Sequence, residues 1–418
     1  MKNGKHTFID LFSGCGGLAL GLINSGWKGL FAIEKNESAF KTLRFNLIDN
    51  YIEKTSCFSW PEWLELKPHD IVEFVNEYSE KLKSLQGEVH LVAGGPPCQG
   101  FSFAGRRNGD DPRNELYKYF LKVVGYVKPM LVLMENVEGI NVPFKKNNVT
   151  YNEKSFAEII RENLNEIGYH VQIHVINAAE LGVPQFRRRC FILGISKDLF
   201  KNEQIPDLLG VINNIRNDFL KKHGLPVDRY VTVSDAISDL KVNGKQTIEC
   251  TDEDSPSGFK EILYQGPVTS YQKLMHKNME GRKMNSLRLV NHKQKTVEKF
   301  QLLINSCEKG DYLSKKDRDR FGIKKSSIAI LSPDKPSMTI TTLPDDLIHY
   351  DEPRIHTVRE HARLQSFPDW FEFKDKFTTG GVRRKEECPR YTQVGNAIPP
   401  LMAEAIGQAL KNILDELE

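Results

Sequence analysis

The sequence contains few cysteines, no long apolar run and little net charge. Its seven cysteines among 418 residues include no Cys-x-x-Cys pair, so neither a zinc site nor a disulfide framework is indicated. It lacks a run of about 18 apolar residues, which a membrane-spanning helix would require. The apolar stretch near residue 8 is too short for a signal peptide. We therefore expect a cytoplasmic protein in a reducing setting, with no metal site and no membrane partner.

The charge balance leaves nucleic acid open as a partner without requiring it. The net charge is +3 at pH 7, which permits binding to a polyanion but does not by itself indicate it. Apolar residues make up 39% and charged residues 27% of the chain, values typical of a globular protein with a sizeable core. The length leaves room for two domains of ordinary size.

Short apolar runs alternate with helical patterns in the first half of the chain. Strands are predicted at residues 6–12, 29–34, 89–94, 129–135, 170–177 and 189–195, with helices at 115–127 and 155–168. This alternation is typical of an α/β fold with a parallel sheet. After about residue 196 the chain becomes polar and mixed, which predicts a second, smaller domain. Residues 399–418 form the pattern of an amphipathic helix that opens with proline.

The first two predicted strands are followed by residues that suit a nucleoside ligand. Gly14, Gly16 and Ala19 fit the spacing G-x-G-x-x-G/A, and Glu34 lies about 20 residues beyond this loop, where an acid can bind ribose hydroxyls. Ligands of open parallel sheets bind at the carboxyl ends of the strands. A glycine loop alone is weak support, and it leaves a dinucleotide open as the ligand.

A thiol and a carboxylate follow the next two strands. Cys98 lies in the loop Gly-Gly-Pro-Pro-Cys, which is not a core strand, whereas the other six cysteines are expected to be small buried apolar residues. Glu135 ends the fourth strand, where it is either a functional acid or an ordinary ion-pair partner. The run 187–189 is three arginines before an apolar strand, so it is either a solvated charge run or the partner of an anion or carbonyl.

These segments, in this order and over nearly the whole chain, resemble the motifs of bacterial DNA (cytosine-5)-methyltransferases of restriction–modification type. The matching segments are FIDLFSGCGGLALGL (8–22), AIEKN (32–36), HDI (69–71), GGPPCQGFS (94–102), MENVEGI (134–140), QFRRRCF (185–191), RIHTVREHARLQSFPD (354–369) and QVGNAIPP (393–400). The connection before HDI is longer than a minimal link.

The resemblance implies a fold and a domain order. The fold is an α/β, Rossmann-like sheet of an S-adenosyl-methionine-dependent methyltransferase with a smaller, mixed target-recognition domain. The implied domains are 1–196 for catalysis and cofactor binding, 197–350 for target recognition, and 351–418 as a hinge and C-terminal helix. That helix is expected to return to the catalytic domain.

The resemblance also assigns the chemistry. Cys98 is the expected nucleophile toward carbon 6 of cytosine, and Glu135 is expected to bind or protonate ring nitrogen 3. Arg189 is expected to hold the carbonyl oxygen of the base, with Arg187 supporting the thiol and Glu135.

The implied cofactor is S-adenosyl-methionine. Phe12 is expected to pack on its adenine, Glu34 to bind its ribose, and the glycine loop to approach its methionine end. The residues implied for this pocket are Phe12, Gly14, Gly16, Glu34, Asp70, Ile71, Pro97, Leu116 and Asn396.

The implied partner is double-stranded DNA, methylated by a monomeric enzyme after the target base has flipped out of the helix. Gln99, Ser102 and Thr341 are the expected DNA contacts, although the threonine-rich stretch around Thr341 is also plain strand. A cognate restriction endonuclease is an expected functional, not physical, partner. The alternatives are a tRNA cytosine-5 methyltransferase, a catalytically silent DNA-binding homologue and a nicotinamide-dependent enzyme.

Overall fold

The computed structural model describes residues 6–51, 57–97, 115–143, 154–199, 205–378 and 387–416, together with the backbone of two short strands between residues 145 and 150. Its strands are β1 Thr7–Leu11, β2 Lys28–Ile33, β3 Leu91–Gly94, β4 Leu131–Val137, β5 Lys145–Lys146, β6 Val149–Thr150, β7 Tyr169–Asn177, β8 Arg188–Ser196, β9 Thr247–Glu249, β10 Lys260–Ile262, β11 Asp311–Tyr312, β12 Ala329–Ile330 and β13 Leu347–Ile348.

The α-helices connect and cover these strands. They are α1 Gly17–Asn24, α2 Glu37–Arg44, α3 Ile71–Glu77, α4 Ser79–Lys83, α5 Leu116–Val127, α6 Phe156–Glu166, α7 Leu208–Lys222, α8 Val233–Ile237, α9 Ser270–Met275, α10 Gln294–Ser306, α11 Lys315–Arg320, α12 Val358–Leu364, α13 Arg390–Asn396 and α14 Pro400–Asp415. Within the described residues, no helix is both long and apolar enough to cross a membrane.

The main sheet has six strands in the order β2-β1-β3-β4-β8-β7, which confirms the α/β class and all six predicted strands. The expectation of a parallel sheet is wrong for β8, which runs antiparallel to both β4 and β7. Its connection from β7 is short, and a parallel partner would need a crossover of a dozen or more residues. As a result β8 begins at the edge where β1 to β4 end.

The C-terminal helix α14 packs on α1 beside the sheet. At Gly21 of α1, an added Cβ atom would lie 2.3 Å from the Cβ atom of Ala403 and 2.5 Å from the carbonyl oxygen of Pro400. The indole of Trp27 donates a hydrogen bond to the Gly407 carbonyl at 2.9 Å. The helix α14 thus packs against α1, which directly follows the glycine loop. The bounds of the three domains stay a prediction.

This contact makes one glycine sensitive to a single methyl group. We expect Gly21→Ala to lower the free energy of unfolding by about 1–3 kcal/mol, because close-packed helices have no room for the added atom. Gly125→Ala in α5 is the matched control, since an added Cβ there meets nothing within 4 Å. It should be neutral or stabilise by about 0.5–1 kcal/mol. Urea unfolding of both variants measures the difference, and equal midpoints would contradict the packing described for α1 and α14.

A separate apolar cluster lies in the second half of the chain. It joins α10 to the three-stranded sheet β11-β12-β13 through Leu303, Ile330 and Ile348. β12 pairs parallel with β13 and antiparallel with β11. We call α10 and the sheet β11-β12-β13 the smaller body; the predicted target-recognition domain at 197–350 stays a prediction.

Three histidines lie buried between this smaller body and α12. The ring centroids of His349 and His356 are 5.3 Å apart, and those of His356 and His361 are 5.6 Å apart. Burial lowers the pKa of His361 to about 4, against the opposing charges of Glu360 and Asp346. His361 is therefore neutral in the folded protein at neutral pH.

The low pKa of His361 makes the folded state sensitive to acid. The unfolded histidine takes up a proton near pH 6.5, whereas the folded one resists it, so stability present above pH 6.5 is lost as the pH falls. With a folded pKa of about 4, this one group should cost about 2 kcal/mol between pH 8 and pH 5. His361→Leu should show a correspondingly flatter dependence of unfolding free energy on pH. An unchanged slope would contradict the assignment.

Candidate active site

The antiparallel strand β8 brings an arginine against the carboxylate at the end of β4. Glu135 pairs in register with Phe191, and Val137 with Arg189. The Arg189 Nε atom lies 3.0 Å from Glu135 Oε1, and both side chains are about one-seventh exposed, at 13% and 14%. Burial raises the pKa of Glu135, although the charges of Arg189 and Arg187 act to lower it. The site thus holds a carboxyl group that favours its protonated form more than an exposed glutamate does.

The loop that carries Cys98 leaves β3 beside this carboxylate. An added Cβ at Gly95 would lie 3.1 Å from Glu135 Oε2, so a larger residue there would displace the carboxylate by a few tenths of an ångström. The Asn136 side-chain amide donates to the Pro96 carbonyl at 3.3 Å, which fixes the start of the loop. Pro97 follows, half-buried. Cys98, Gln99 and Ser102 lie outside the described residues.

Arg187 joins three distant segments of the chain at the pocket. Its guanidinium donates to the carbonyls of Ile340 at 3.1 Å, Gly395 at 2.9 Å and Ala397 at 3.0 Å. Its Nε is buried and has no hydrogen-bond partner among the described residues. Burial, reinforced by the charge of Arg189, lowers the pKa of Arg187 below its ordinary value. The residue holds the second half of the chain against the pocket; its expected support of the thiol stays a prediction.

The middle arginine of the triplet is on the surface. Arg188 donates two hydrogen bonds to the Glu138 carboxylate, each of 2.9 Å. Because Arg187 is buried and Arg189 contacts Glu135, the triplet is not a solvated charge run.

The glycine loop and the acid after β2 meet at the same edge of the sheet. The Gly14 amide donates to Glu34 Oε2 at 2.9 Å, and the Asn36 amide donates to Glu34 Oε1 at 2.7 Å. Gly14 has a φ of +55°, and an added Cβ there would meet nothing within 4 Å, so the loop borders open space. Burial raises the pKa of Glu34 despite these backbone hydrogen bonds.

Asp70 lies next to Glu34 although the chain between them is long. The His69 amide donates to the Glu34 carbonyl at 2.9 Å. Asp70 caps α3 by accepting from the Val72 amide at 2.8 Å, and Lys35 Nζ lies 2.8 Å from its other oxygen. Burial alone would raise the pKa of Asp70, but these contacts outweigh it and lower that pKa. Ile71 follows, buried.

The long connection itself covers the edge strand β2. Gly29 of β2 donates to the Cys57 carbonyl at 3.0 Å and accepts from the Ser59 amide at 2.8 Å. An added Cβ at Gly29 would lie 2.4 Å from the Phe58 ring. The additional residues therefore protect an edge that would otherwise expose unpaired backbone groups.

Two apolar residues expected in the cofactor pocket lie at element boundaries: Phe12 directly follows β1, and Leu116 begins α5. Phe12 and Leu116 both pack, partly buried, on the apolar cluster formed by β1, β4 and α5. Phe12 has a φ of +59°, a conformation that is uncommon outside glycine and that clusters at ligand sites. Gly16 has a φ of +96°, with Leu47 in the place that a side chain would need. Asn396 is exposed at the end of α13.

Thr341 lies beside the segment that Arg187 holds. Its hydroxyl hydrogen-bonds the carboxylate of Asp346, and it accepts from the Leu343 amide at 3.1 Å. An added Cβ at Gly395 would lie 2.3 Å from the Thr341 carbonyl oxygen, so this glycine permits a close approach of the two segments. The expected contact of Thr341 with a DNA phosphate stays a prediction.

Gln185 links distant segments beside the pocket, a role that its place in QFRRRCF does not predict. It is fully buried, donates to the Gln365 side chain at 2.9 Å and accepts from the Ile340 amide at 2.9 Å. No local pattern predicts a link of this kind, because its partners lie more than 150 residues away.

Comparison with known proteins agrees with this geometry. Residues 6–412 match the family model described as C-5 cytosine-specific DNA methylase. The chain belongs to this family. As a DNA (cytosine-5)-methyltransferase, it needs both a cytosine pocket and a methyl donor site at the edge of the sheet.

The similarity to curated relatives and to solved structures covers nearly the whole methylase. It is 31% identical over 414 residues to the type II methyltransferase M.DdeI of Desulfomicrobium norvegicum, covering 97% of this chain and 88% of the relative. It is 30% identical over 415 residues to M1.HphI of Haemophilus parahaemolyticus, covering 97% and 86%. A crystal structure of a putative DNA modification methyltransferase encoded within a prophage of E. coli has a TM-score of 0.66 at 24% identity and covers 98% and 100%. That structural likeness supports the shared methyltransferase fold.

The residues at this edge fit the nucleoside part of S-adenosyl-methionine. Glu34 accepts from the Gly14 amide of the glycine loop, and Asp70 follows His69, whose amide donates to the Glu34 carbonyl. Carboxylates accept from ribose hydroxyls and amino groups, so the edge suits a nucleoside-type ligand.

Proposed function

We propose that this methylase transfers a methyl group to carbon 5 of cytosine within a specific double-stranded DNA sequence, through a covalent Cys98 adduct. The observation that carries the proposal is the largely buried ion pair between Glu135 and Arg189 at 3.0 Å, beside the start of the Cys98 loop. Such a pair can hold the polar edge of a pyrimidine while a nucleophile attacks the ring.

The reaction requires the Cys98 thiolate because carbon 5 of cytosine, as part of an aromatic ring, is itself a poor nucleophile toward the methyl group. Addition of the Cys98 thiolate to carbon 6 breaks the aromaticity and gives carbon 5 enamine character. Glu135, with its raised pKa, donates a proton to ring nitrogen 3 as negative charge develops there. Arg189 holds the carbonyl oxygen. S-adenosyl-methionine would supply the methyl group when bound. Glu135 then takes back the nitrogen-3 proton, and loss of the carbon-5 proton to solvent expels the Cys98 thiolate and restores the ring.

The cofactor contacts follow from the two carboxylates and the apolar border of the opening. Glu34 accepts from the ribose hydroxyls, and Asp70 and Ile71 lie along the adenine edge. Phe12 packs on the adenine face, and the backbone at Gly14 approaches the methionine end. Gly16, Pro97, Leu116 and Asn396 complete the pocket.

The target cytosine has to leave the double helix to reach Glu135. Base flipping costs a few kcal/mol, which contacts to DNA must offset. We expect these DNA contacts from Gln99 and Ser102, which come directly after the nucleophile in the sequence. Thr341, next to the Ile340 carbonyl that Arg187 contacts, is expected to add a third. Residues 197–350 read the bases around the target.

The relatives named as type II methyltransferases support a setting in restriction–modification. We infer that methylation protects host DNA in the cytoplasm from a cognate endonuclease, and that the enzyme acts as a monomer. The endonuclease is a functional partner, because protection requires only that both proteins read the same sequence.

Bisulfite sequencing of DNA from cells that express the protein tests this function and gives the target sequence. We expect fully methylated cytosines within one short sequence, and none in cells expressing Cys98→Ala. Labelled methyl transfer to duplex DNA and to tRNA in parallel separates the substrates. Transfer to tRNA alone would contradict the proposal.

A further inference from the structure

The segment around α11 is an exposed helical turn rich in positive charge. Five cationic side chains and two carboxylates lie between residues 315 and 324. We call the cationic set the basic turn; its members are Lys315, Lys316, Arg318, Arg320 and Lys324. No residue of α11 is buried. The helix buries no side chain of its own in the core, which makes a surface role the more natural one for it.

The basic turn is held firmly from both ends. Ser314 caps α11 by accepting from the Asp317 amide at 3.1 Å and contacts the Asp317 carboxylate at 2.5 Å, so this acid is already occupied. Leu313 before the helix is buried, and Phe321 and Ile323 after it pack on the cluster of the smaller body. The fold therefore presents these charges in a defined place.

The charges of the basic turn are not neutralised locally. No described carboxylate forms an ion pair with Lys315, Lys316 or Lys324, all of which are exposed. By contrast, Asp252 and Asp254 of the same half of the chain both bind the buried Arg390. Lys315, Lys316 and Lys324 thus present positive charge without a carboxylate partner among the described residues.

A chain of contacts connects the basic turn to the base pocket. Lys325, next to the turn, contacts Asp346 at 2.6 Å, and Asp346 hydrogen-bonds Thr341. The carbonyl of the preceding Ile340 accepts from Arg187 at 3.1 Å. The basic turn is therefore linked, through Lys325, Asp346 and Thr341, to the segment that Arg187 contacts.

We propose that the basic turn binds the phosphates of double-stranded DNA that flank the target cytosine. The proposal rests on the proposed function, which makes duplex DNA the substrate. DNA carries one negative charge per about 1.7 Å of its axis, and lysines bind phosphates as point charges without reading bases. Tyr312, 46% exposed directly before the turn, adds a surface for the sugar-phosphate backbone. The turn sets affinity and register, and the sequence itself is read elsewhere.

The double variant Lys315→Gln/Lys316→Gln tests this with a fluorescent duplex that contains the methylated sequence. Each lost phosphate contact reduces the slope of log Kd against log salt by about 0.9. We expect the slope to fall by about 1.8 and the affinity at 0.1 M salt to fall about tenfold or more. The sequence that is methylated should stay the same, and binding of S-adenosyl-homocysteine should be unchanged.

A control variant removes two exposed lysines from α4, where Lys83 is already paired with Glu80 at 2.6 Å. Lys81→Gln/Lys83→Gln lies in α4, near Gln86, which donates to the Tyr126 carbonyl at the end of α5. Equal salt slopes in the two double variants would overturn the basic turn as a phosphate site, as would a broadened target sequence with an unchanged slope. Failure of the unmodified protein to bind duplex DNA or to methylate it would instead contradict the proposed function and the partner together.

Discussion

Replacing Glu135 with glutamine is expected to lower kcat for DNA methylation by about 10²–10⁴-fold. Glutamine keeps the size of the side chain and can accept from Arg189, but it has no carboxyl proton to give to ring nitrogen 3. Burial raises the pKa of Glu135 in the folded protein, so the protonated form that the reaction needs is accessible. The rate of a single turnover with labelled S-adenosyl-methionine measures the effect.

Glu138→Gln is the matched control for Glu135. Glu138 lies three residues further along, and its carboxylate contacts the surface residue Arg188. We expect its loss to leave the single-turnover rate within about twofold, since exposed ion pairs contribute little. Similar rates for the Glu135 and Glu138 variants would show that the Glu135 carboxyl does not take part in proton transfer.

The second large effect is expected at Arg187. Arg187→Met removes a donor from the carbonyls of Ile340, Gly395 and Ala397, of which the Ala397 carbonyl also accepts from Gln365. A buried polar group left without a partner costs about 1–3 kcal/mol, so we expect the free energy of unfolding to fall by about 3 kcal/mol or more. Removal of a desolvated charge offsets part of this cost. Urea unfolding gives the value.

Arg188→Met serves as the neighbouring control because Arg188 is exposed and its guanidinium contacts the surface residue Glu138. Its unfolding free energy should change by less than about 0.5 kcal/mol. Arg187→Lys should recover part of the stability, since an ammonium group can reach some of the carbonyls but lacks the planar fork of arginine. Equal stability of the Arg187 and Arg188 methionine variants would mean that Arg187 does not hold the second half of the chain.

The strands of the main sheet could be predicted because apolar runs reflect burial, which is a local property of the sequence. The direction of β8 could not, because a strand pattern carries no orientation. Orientation depends on how far the chain between β7 and β8 can reach. This one reversal places Arg189 against Glu135, so the central contact of the pocket depends on a feature that local patterns do not contain.

The candidate site was predictable where chemistry follows the end of a strand. Glu34 directly follows β2 and Glu135 lies near the end of β4, and their positions follow from the rule that ligands bind at the carboxyl ends of strands. The links made by Arg187 were not predictable in the same way, because its partner Ile340 lies 153 residues away. Contacts of this kind arise from packing between distant segments and produce no periodic pattern in the sequence.

The most direct test of the account uses duplex DNA in which the target cytosine carries fluorine at carbon 5. Fluorine cannot leave as a proton does, so the enzyme should remain attached through Cys98 once the methyl group has been transferred. We predict a denaturant-stable complex of protein and DNA, with the modified peptide containing Cys98, and no such complex for Cys98→Ala. The absence of any covalent complex, from folded protein that binds both cofactor and target DNA, would contradict the mechanism.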